Sequence, residues 1–301
     1  MCNFCVVPFT RGRERSRDPK SILNEINYLD KRGFKEITLL GQNVDSYLWY
    51  GGGLKKDYSK ATPLQKKTSL RFNNLLEIIA QEKPKMRIRF STSNPQDMSD
   101  EVIDVIAKYP NICRHIHLPV QSGSNKILKK MNRLHTREEY LVLINKIKTK
   151  IPNCSISHDI IAGFPSENKT DHLDTLKLME SIKYEYGFMF KYSERPGTMA
   201  QKKFTDNVPL EIKNLRLKEI ITKQNKHSLF RNQQFLNKTV CVLIEKESKK
   251  SDKFWSGRTS QNTVVVFPKQ NFSPGDFVDV KIENCTSATL IGNGLRISKD
   301  I

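Results

Sequence analysis

Between Asp18 and about Tyr192 the apolar residues switch repeatedly between helical and strand spacing, and this alternation constrains the fold more than any other feature. Asp18-Pro19 opens a helix, with Asp at the N-cap and Pro at the first helical position. Ile22, Ile26 and Leu29 then share a face until Gly33, and KEITLLG (35–41) follows as a short buried strand. A helix over about 72–82 precedes MRIRFS (86–91), in which Ile88 and Phe90 share one side. A helix near 99–107 and a strand near 113–118 come next, and Thr136 with Glu139 forms a capping box for a helix burying Tyr140, Ile144 and Ile147. SISHDII (155–161), a helix over 168–182 and YEYGFMF (184–190) complete the series. Strand–helix alternation with short connections predicts a parallel sheet or a βα barrel. The exception is 44–69, long, polar and marked by Gly51-Gly52-Gly53, which reads as a lid-like substrate-side loop or as a disordered stretch.

A Lys- and Arg-rich helix over about 210–232 leads into a different kind of sequence. From Leu236 onward only short strands are visible: TVCVLIE (239–245), NTVVVF (262–267), DFVDVKIE (276–283) and ATLIGNGLRI (288–297). Val278, Val280 and Ile282 alternate strictly with Asp279, Lys281 and Glu283. Four or five such strands predict a small antiparallel barrel of the oligonucleotide-binding kind. The chain divides near 234, into 1–233 and 234–301.

Charge narrows the partners. Fifty-one Lys and Arg against 32 Asp and Glu give a net +19. Such an excess favours a polyanion, nucleic acid or an anionic membrane surface, although an AT-rich coding bias also raises Lys. No run of about 18 apolar residues is present, and no apolar segment follows the N-terminus as in a signal peptide. The reading is a soluble, cytoplasmic, monomeric chain without a membrane partner. Cys113, Cys154, Cys241 and Cys285 are scattered singly through apolar stretches and read as buried free thiols.

Cys2-Asn3-Phe4-Cys5 is the one cysteine pair. A thioredoxin-like pair would need a preceding strand and a helix starting at the motif, whereas Pro8 and Gly12 follow. A zinc site would need a second pair at suitable spacing. Thiolate ligation of an iron–sulfur cluster is the third reading. His115 and His117 on one strand face lack a third ligand in the sequence and read as structural. The CxxC alone does not choose among its three readings.

The flanking residues do. CNFCVVPFTRGRERSRDP (2–19) resembles the cluster segment of the tRNA methylthiotransferases, a branch of the radical SAM superfamily. LLGQNVDSY (39–47), RIRFSTSNP (87–95), HLPVQSGSNKILKKMNR (117–133), DIIAGFPSE (159–167) and YSERPGT (192–198) match in order, and WSGRTSQNTVVVF (255–267) is similar to the family's RNA-binding TRAM domain. The pattern is nearest the MiaB-type branch, which acts on N6-isopentenyladenosine beside the anticodon. The resemblance implies an α/β chain, with an incomplete radical SAM βα barrel over 1–233 followed by a small all-β TRAM barrel over 234–301. It implies Cys2 and Cys5 as ligands of a [4Fe-4S] cluster that chelates S-adenosylmethionine, with Phe4 by the adenine. Gly41, Gln42, Ser91, Ser93, Gln121, Ser122 and Asp159 lie at strand ends facing the cofactor, and Arg133 pairs with the S-adenosylmethionine carboxylate. Lys249, Lys250, Arg258 and Asn262 are the implied contacts to the RNA backbone. Arg11, Arg13, Arg15 and Arg17 read as phosphate contacts, as supports of the cluster loop, or as a solvated face with Glu14 and Asp18.

The chain departs from the family at its start. The first motif cysteine would lie four residues before Cys2, ahead of Met1. The leading barrel strand and an N-terminal domain carrying a second iron–sulfur cluster are likewise expected upstream. The expectation is that these 301 residues alone lack methylthiotransferase activity. The implied partners are tRNA and an electron donor of flavodoxin or ferredoxin type. Two alternatives stay open. One is a sister methylthiotransferase acting on threonylcarbamoyladenosine of tRNA or on a ribosomal protein, and the other is a non-catalytic tRNA-binding remnant.

Overall fold

The computed structural model describes residues 2–299. Its first element differs from expectation: α1 (Val7–Arg11) is a single helical turn. Pro8 falls in the first turn, where its missing N–H leaves nothing unsatisfied, and Gly12 ends the turn at φ 76°. Helix α2 (Pro19–Lys31) starts as predicted, the Asp18 side chain accepting the Lys20 N–H. Strand β1 (Glu36–Leu40) follows.

The segment 44–69 is folded rather than disordered. A 3-10 turn over Val44–Ser46 leads to a hairpin of β2 (Leu48–Trp49) with β3 (Leu70–Arg71), enclosing a second 3-10 helix and α3 (Pro63–Lys67). The Tyr47 hydroxyl donates to Arg17 O at 2.9 Å, Leu48 N donates to Ser16 Oγ at 2.9 Å, and Ser46 Oγ donates to Glu14 Oε1 at 2.6 Å. With Leu48 and Tyr50 buried, these bonds tie the segment to residues 14–17.

Then α4 (Phe72–Glu82), β4 (Arg87–Ser91), α5 (Asp100–Lys108), β5 (His115–His117), α6 (Asn125–Lys130), α7 (Arg137–Lys150), β6 (Ser155–Ala162), α8 (Lys169–Ile182) and β7 (Tyr186–Lys191) alternate as the periodicity predicts. The Thr136–Glu139 capping box opens α7, which buries Tyr140, Ile144 and Ile147. Strand pairs β1–β4, β5–β6 and β6–β7 are all parallel, and an Ile88–Ile112 bridge joins β4 to the segment before β5. The five strands form a partial βα barrel. Ile37, Ile88, Phe90, Ile116, Ile156 and Ile160 enter the main core with the helices. The opposite face is polar and aromatic, which a fully buried parallel strand would not be. The outer edge of β1 lines a cleft of about 610 Å³ together with Ile22, Arg13 and Arg15.

After α9 (Met199–Lys203), the long α10 (Leu210–Gln233) packs on α8, β6 and β7. Five strands follow: β8 (Thr239–Ser248), β9 (Ser251–Thr259), β10 (Val264–Pro268), β11 (Phe277–Cys285) and β12 (Leu290–Ile297). They close in the order β10-β12-β11-β8-β9, with a separate core of Val242, Ile244, Val265, Val278 and Val280. Strand β9 has no counterpart in the sequence reading, because Ser and Gly at 256 and 257 interrupt its apolar alternation. Gly257 is required there, since a Cβ would lie 2.1 Å from Leu243 O. Cys113 and Cys154 are buried as expected, and burial pushes both thiols up to about 12. Cys241 and Cys285 are only partly buried: Cys285 packs against the small barrel's core from its edge, and Cys241 Sγ lies 3.7 Å from Arg87 Nη2.

Candidate functional site

The loop bearing Cys2 and Cys5 is pinned at the C-terminal end of the partial barrel. Asn3 N donates to Met131 O at 2.9 Å, Asn3 Nδ2 to Lys130 O at 2.8 Å, and Ala200 N to Asn3 O at 2.7 Å. Phe4 packs against a small apolar cluster of Ile127, Met131, Phe164, Tyr192 and Ala200. Both thiols are free and partly exposed. Arg133 Nη1 lies 3.5 Å from Cys2 Sγ, its Nη2 donates to Pro119 O, and its buried Nε has no partner. An orphaned buried donor is suited to an anion. Among the described residues there is no group of three or more His, Cys, Asp or Glu placed to hold a metal. The two cysteines and Arg133 therefore fit one side of a cluster site, supplying two thiolates.

Gly41 and Gln42 are exposed directly after β1, and a Cβ on Gly41 would crowd Val44 Cα at 3.3 Å. Ser91 ends β4, and Ser93 is buried beside β5, its N donating to His117 O. Gln121 bridges to β6 at φ 74°, its backbone exchanging hydrogen bonds with Asp159 O and Ile161 N. Ser122 departs from expectation. Its hydroxyl lies 3.4 Å from Thr175 Oγ1 and accepts from Ser124 N, because the neighbouring Gly123 is pressed against α8 too closely for any Cβ. Asp159 does not close its strand, since β6 runs on to Ala162; it lies on the inner face, 3.4 Å from His117 Nε2.

Sequence reasoning did not find Asp45, which is 6 % exposed with one carboxyl oxygen accepting Asn94 N and the other without a partner. Burial, first of all, raises its carboxyl to about 7, with Asp97 adding to the effect. Nor did it find the inner face. Arg89 forms a two-pronged pair with Glu36 at 2.9 and 3.0 Å, and its guanidinium also donates to Thr259 O and Ser260 O. Fully buried Arg87 donates to Arg258 O and stacks over Phe277. The available signal was the alternation in RIRFS, with charged side chains opposite Ile88 and Phe90.

The same contact corrects two expected RNA residues. Arg258 pairs with Glu245 and donates to Asn262 O and Oδ1, and Asn262 Nδ2 donates to the Tyr186 hydroxyl at 2.7 Å. Asn262 thereby holds the small barrel against the larger one, and the Arg258 side chain braces the docked β9–β10 turn from within the small barrel. Lys249 and Lys250, in the β8–β9 turn, are exposed. His115 and His117 share Ser157 Oγ, each at 2.9 Å, and burial holds His115 down to about 3.

The Radical SAM superfamily profile matches residues 1–179, and the TRAM domain profile matches residues 233–294. The chain belongs to the radical SAM superfamily. Its small barrel matches the TRAM domain, and the larger one is the superfamily's βα barrel, here partial. Two curated relatives are named tRNA-2-methylthio-N(6)-dimethylallyladenosine synthase. The one from Christiangramia forsetii is 64% identical over 99% of this chain and 62% of its own length. That from Flavobacterium johnsoniae is 63% identical, with the same coverage of 99% and 62%. The chain thus spans less than two thirds of these relatives. The solved Streptococcus suis SuiB, bound to its precursor peptide SuiA, overlaps 75% of this chain and 43% of its own at 14% identity and a TM-score of 0.48. Radical SAM proteins carry a [4Fe-4S] cluster and S-adenosylmethionine. No helix among the described residues is long and apolar enough to cross a membrane.

Proposed function

We propose that the protein takes part in inserting a methylthio group at C2 of N6-isopentenyladenosine next to the anticodon of tRNA. The observation that carries this reading is the 64% identity, over 99% of the chain, to a relative named for that synthase. When bound, a [4Fe-4S] cluster and S-adenosylmethionine supply the one-electron chemistry that removes hydrogen from an unactivated carbon. Cys2 and Cys5 would hold the cluster, and Arg133, whose buried Nε has no partner, would face the S-adenosylmethionine carboxylate. Gly41 and Gln42 leave room at the end of β1, Ser91, Ser93 and Gln121 line the neighbouring ends, and Asp159 offers an acceptor from the inner face. A second cluster, a flavodoxin- or ferredoxin-type electron donor, a cytoplasmic location and a monomeric state complete the proposal.

Mass spectrometry of tRNA from cells lacking the gene tests the reading. Loss of 2-methylthio-N6-isopentenyladenosine is expected, and an unchanged level would overturn it. The 301-residue chain alone, reconstituted with iron and sulfide, is expected to give no methylthio product, because its described residues supply two thiolates. Robust product would refute that expectation.

Lys249 and Lys250 stand free in the β8–β9 turn and contact phosphates in this reading. Reversing both to Glu is expected to weaken tRNA binding at low salt and to flatten the dependence of log affinity on log salt by roughly one per lysine. Titrations at several salt concentrations would read this, and an unchanged slope would remove the turn from the RNA surface.

A further inference from the structure

We infer that the TRAM barrel sets the orientation of the Asp159 carboxylate from across the radical SAM barrel, through a hydrogen-bonded chain in which His117 is the positioning residue. The chain starts at the β9–β10 turn, where Asn262 Nδ2 donates to the Tyr186 hydroxyl oxygen at 2.7 Å. That hydroxyl lies 2.8 Å from His115 Nε2, which lies 2.9 Å from Ser157 Oγ. Ser157 Oγ is 2.9 Å from His117 Nδ1, and His117 Nε2 is 3.4 Å from Asp159 Oδ1.

The proton count gives the chain a direction. A carboxylate only accepts, so His117 Nε2 carries a proton toward Asp159 and Nδ1 accepts from the Ser157 hydroxyl. The Ser157 oxygen then accepts from His115 Nε2–H, which is shared with the Tyr186 oxygen. Four protons thus serve the five contacts, His115 Nε2–H being divided between Ser157 Oγ and the Tyr186 oxygen, and a hydrogen-bonded network shielded from water restricts the arrangements open to its members. Packing removes the remaining freedom: His115 stacks on Tyr186 with centroids 5.4 Å apart, and Phe188 meets the His117 ring edge-on at 5.8 Å. The turn at the far end is equally fixed, since Arg89 holds Thr259 O and Arg258 holds Asn262 O. Asp159 is thereby aimed from the domain that the proposed reading assigns to tRNA. The consequence for the cofactor rests on that reading; the connection itself does not.

The test is nitrogen NMR of the full 301-residue chain with 15N-labelled histidine, which needs neither cluster nor RNA. Asn262→Gly removes the amide while tolerating the backbone φ of 66° at this position. Asn262→Asp is the second variant, keeping a residue suited to that conformation but unable to donate to Tyr186. The wild-type His117 is expected as a single Nε2–H tautomer. Both variants are expected to move the ring resonances of His115 and His117 and to populate the other His117 tautomer. Ser157→Ala is expected to do the same at His117, and adding Asn262→Gly to it to have no further effect there. Unchanged His117 resonances in both Asn262 variants, or shifts that simply add in the double variant, would overturn the inference. Loss of the proposed tRNA reaction would leave this result untouched, so the two readings fail separately.

Discussion

Replacing Asp45 with Asn is expected to stabilise the fold above neutral pH and to leave it unchanged near pH 4. The side chain is 6 % exposed, with one oxygen accepting Asn94 N at 3.2 Å and the other unpartnered. Burial raises its folded-state carboxyl from 3.8 to about 7, the nearby Asp97 adding to the effect. Between those two values the folded protein keeps a proton that the unfolded chain has released. The contribution of the neutral carboxyl is therefore fully present below pH 3.8, and it is lost as pH rises toward 7. A shift of this size corresponds to about 4 kcal/mol, since each pKa unit is about 1.4 kcal/mol. Asn keeps the acceptor for Asn94 N without an ionisable group, so the variant escapes the loss. Urea midpoints at pH 4 and pH 8 would measure it. If the variant and the wild type lost stability in parallel between those values, Asp45 would not be the titrating group. The position also matters functionally, because Asp45 follows Gly41–Gln42 and bonds the loop after β4, joining the two strand ends proposed to face the cofactor.

Much of the fold was legible because its signals are local. Asp18-Pro19 and the Thr136–Glu139 box each satisfy orphan N–H groups at a helix start, so helices α2 and α7 announce themselves within a few residues. The core face of β4 was equally visible, as Ile88 and Phe90 alternate with arginines. What those arginines do was not, because their partners lie far away: Glu36 is 53 residues from Arg89, and the Thr259 carbonyl is 170 residues away. The same distance hid the role of Asn262, whose partner Tyr186 is 76 residues earlier in the chain. An Asn in a barrel loop looks like an RNA contact until the loop is seen to be docked. The ordering of 44–69 was hidden for a related reason, since Glu14, Ser16 and Arg17 supply the bonds that its own polar sequence does not reveal. At the candidate site, motif order located Cys2, Cys5 and Arg133 together, whereas side-chain direction decided against Ser122. Its neighbour Gly123 is pressed onto α8, and that approach is a property of the packed helix rather than of the QSGS sequence.

Arg89→Ala is expected to destabilise the protein by about 3–5 kcal/mol, the cost typical of breaking a buried ion pair from one side. The Arg89 side chain is 7% exposed and that of Glu36 18% exposed, so the remaining carboxylate would be left with Arg87 Nη1 at 3.9 Å as its nearest cation. The Thr259 and Ser260 carbonyls would lose a donor at the same time, loosening the turn that carries Asn262. The loss should therefore appear in two ways, as a lower denaturation midpoint and as weaker coupling between the barrels. Urea unfolding followed separately by Trp49 in the large barrel and Trp255 in the TRAM barrel distinguishes them, each tryptophan studied with the other changed to Phe. Wild-type transitions are expected to coincide, and those of Arg89→Ala to separate. A paired replacement, Glu36→Leu with Arg89→Met, removes the stranded carboxylate but also takes from buried Arg87 the anion 3.9 Å from its Nη1, so it should recover only part of the midpoint. It should not restore the coupling, since methionine gives the Thr259 carbonyl no donor. Coincident transitions in Arg89→Ala would show that the two barrels are held together without this arginine.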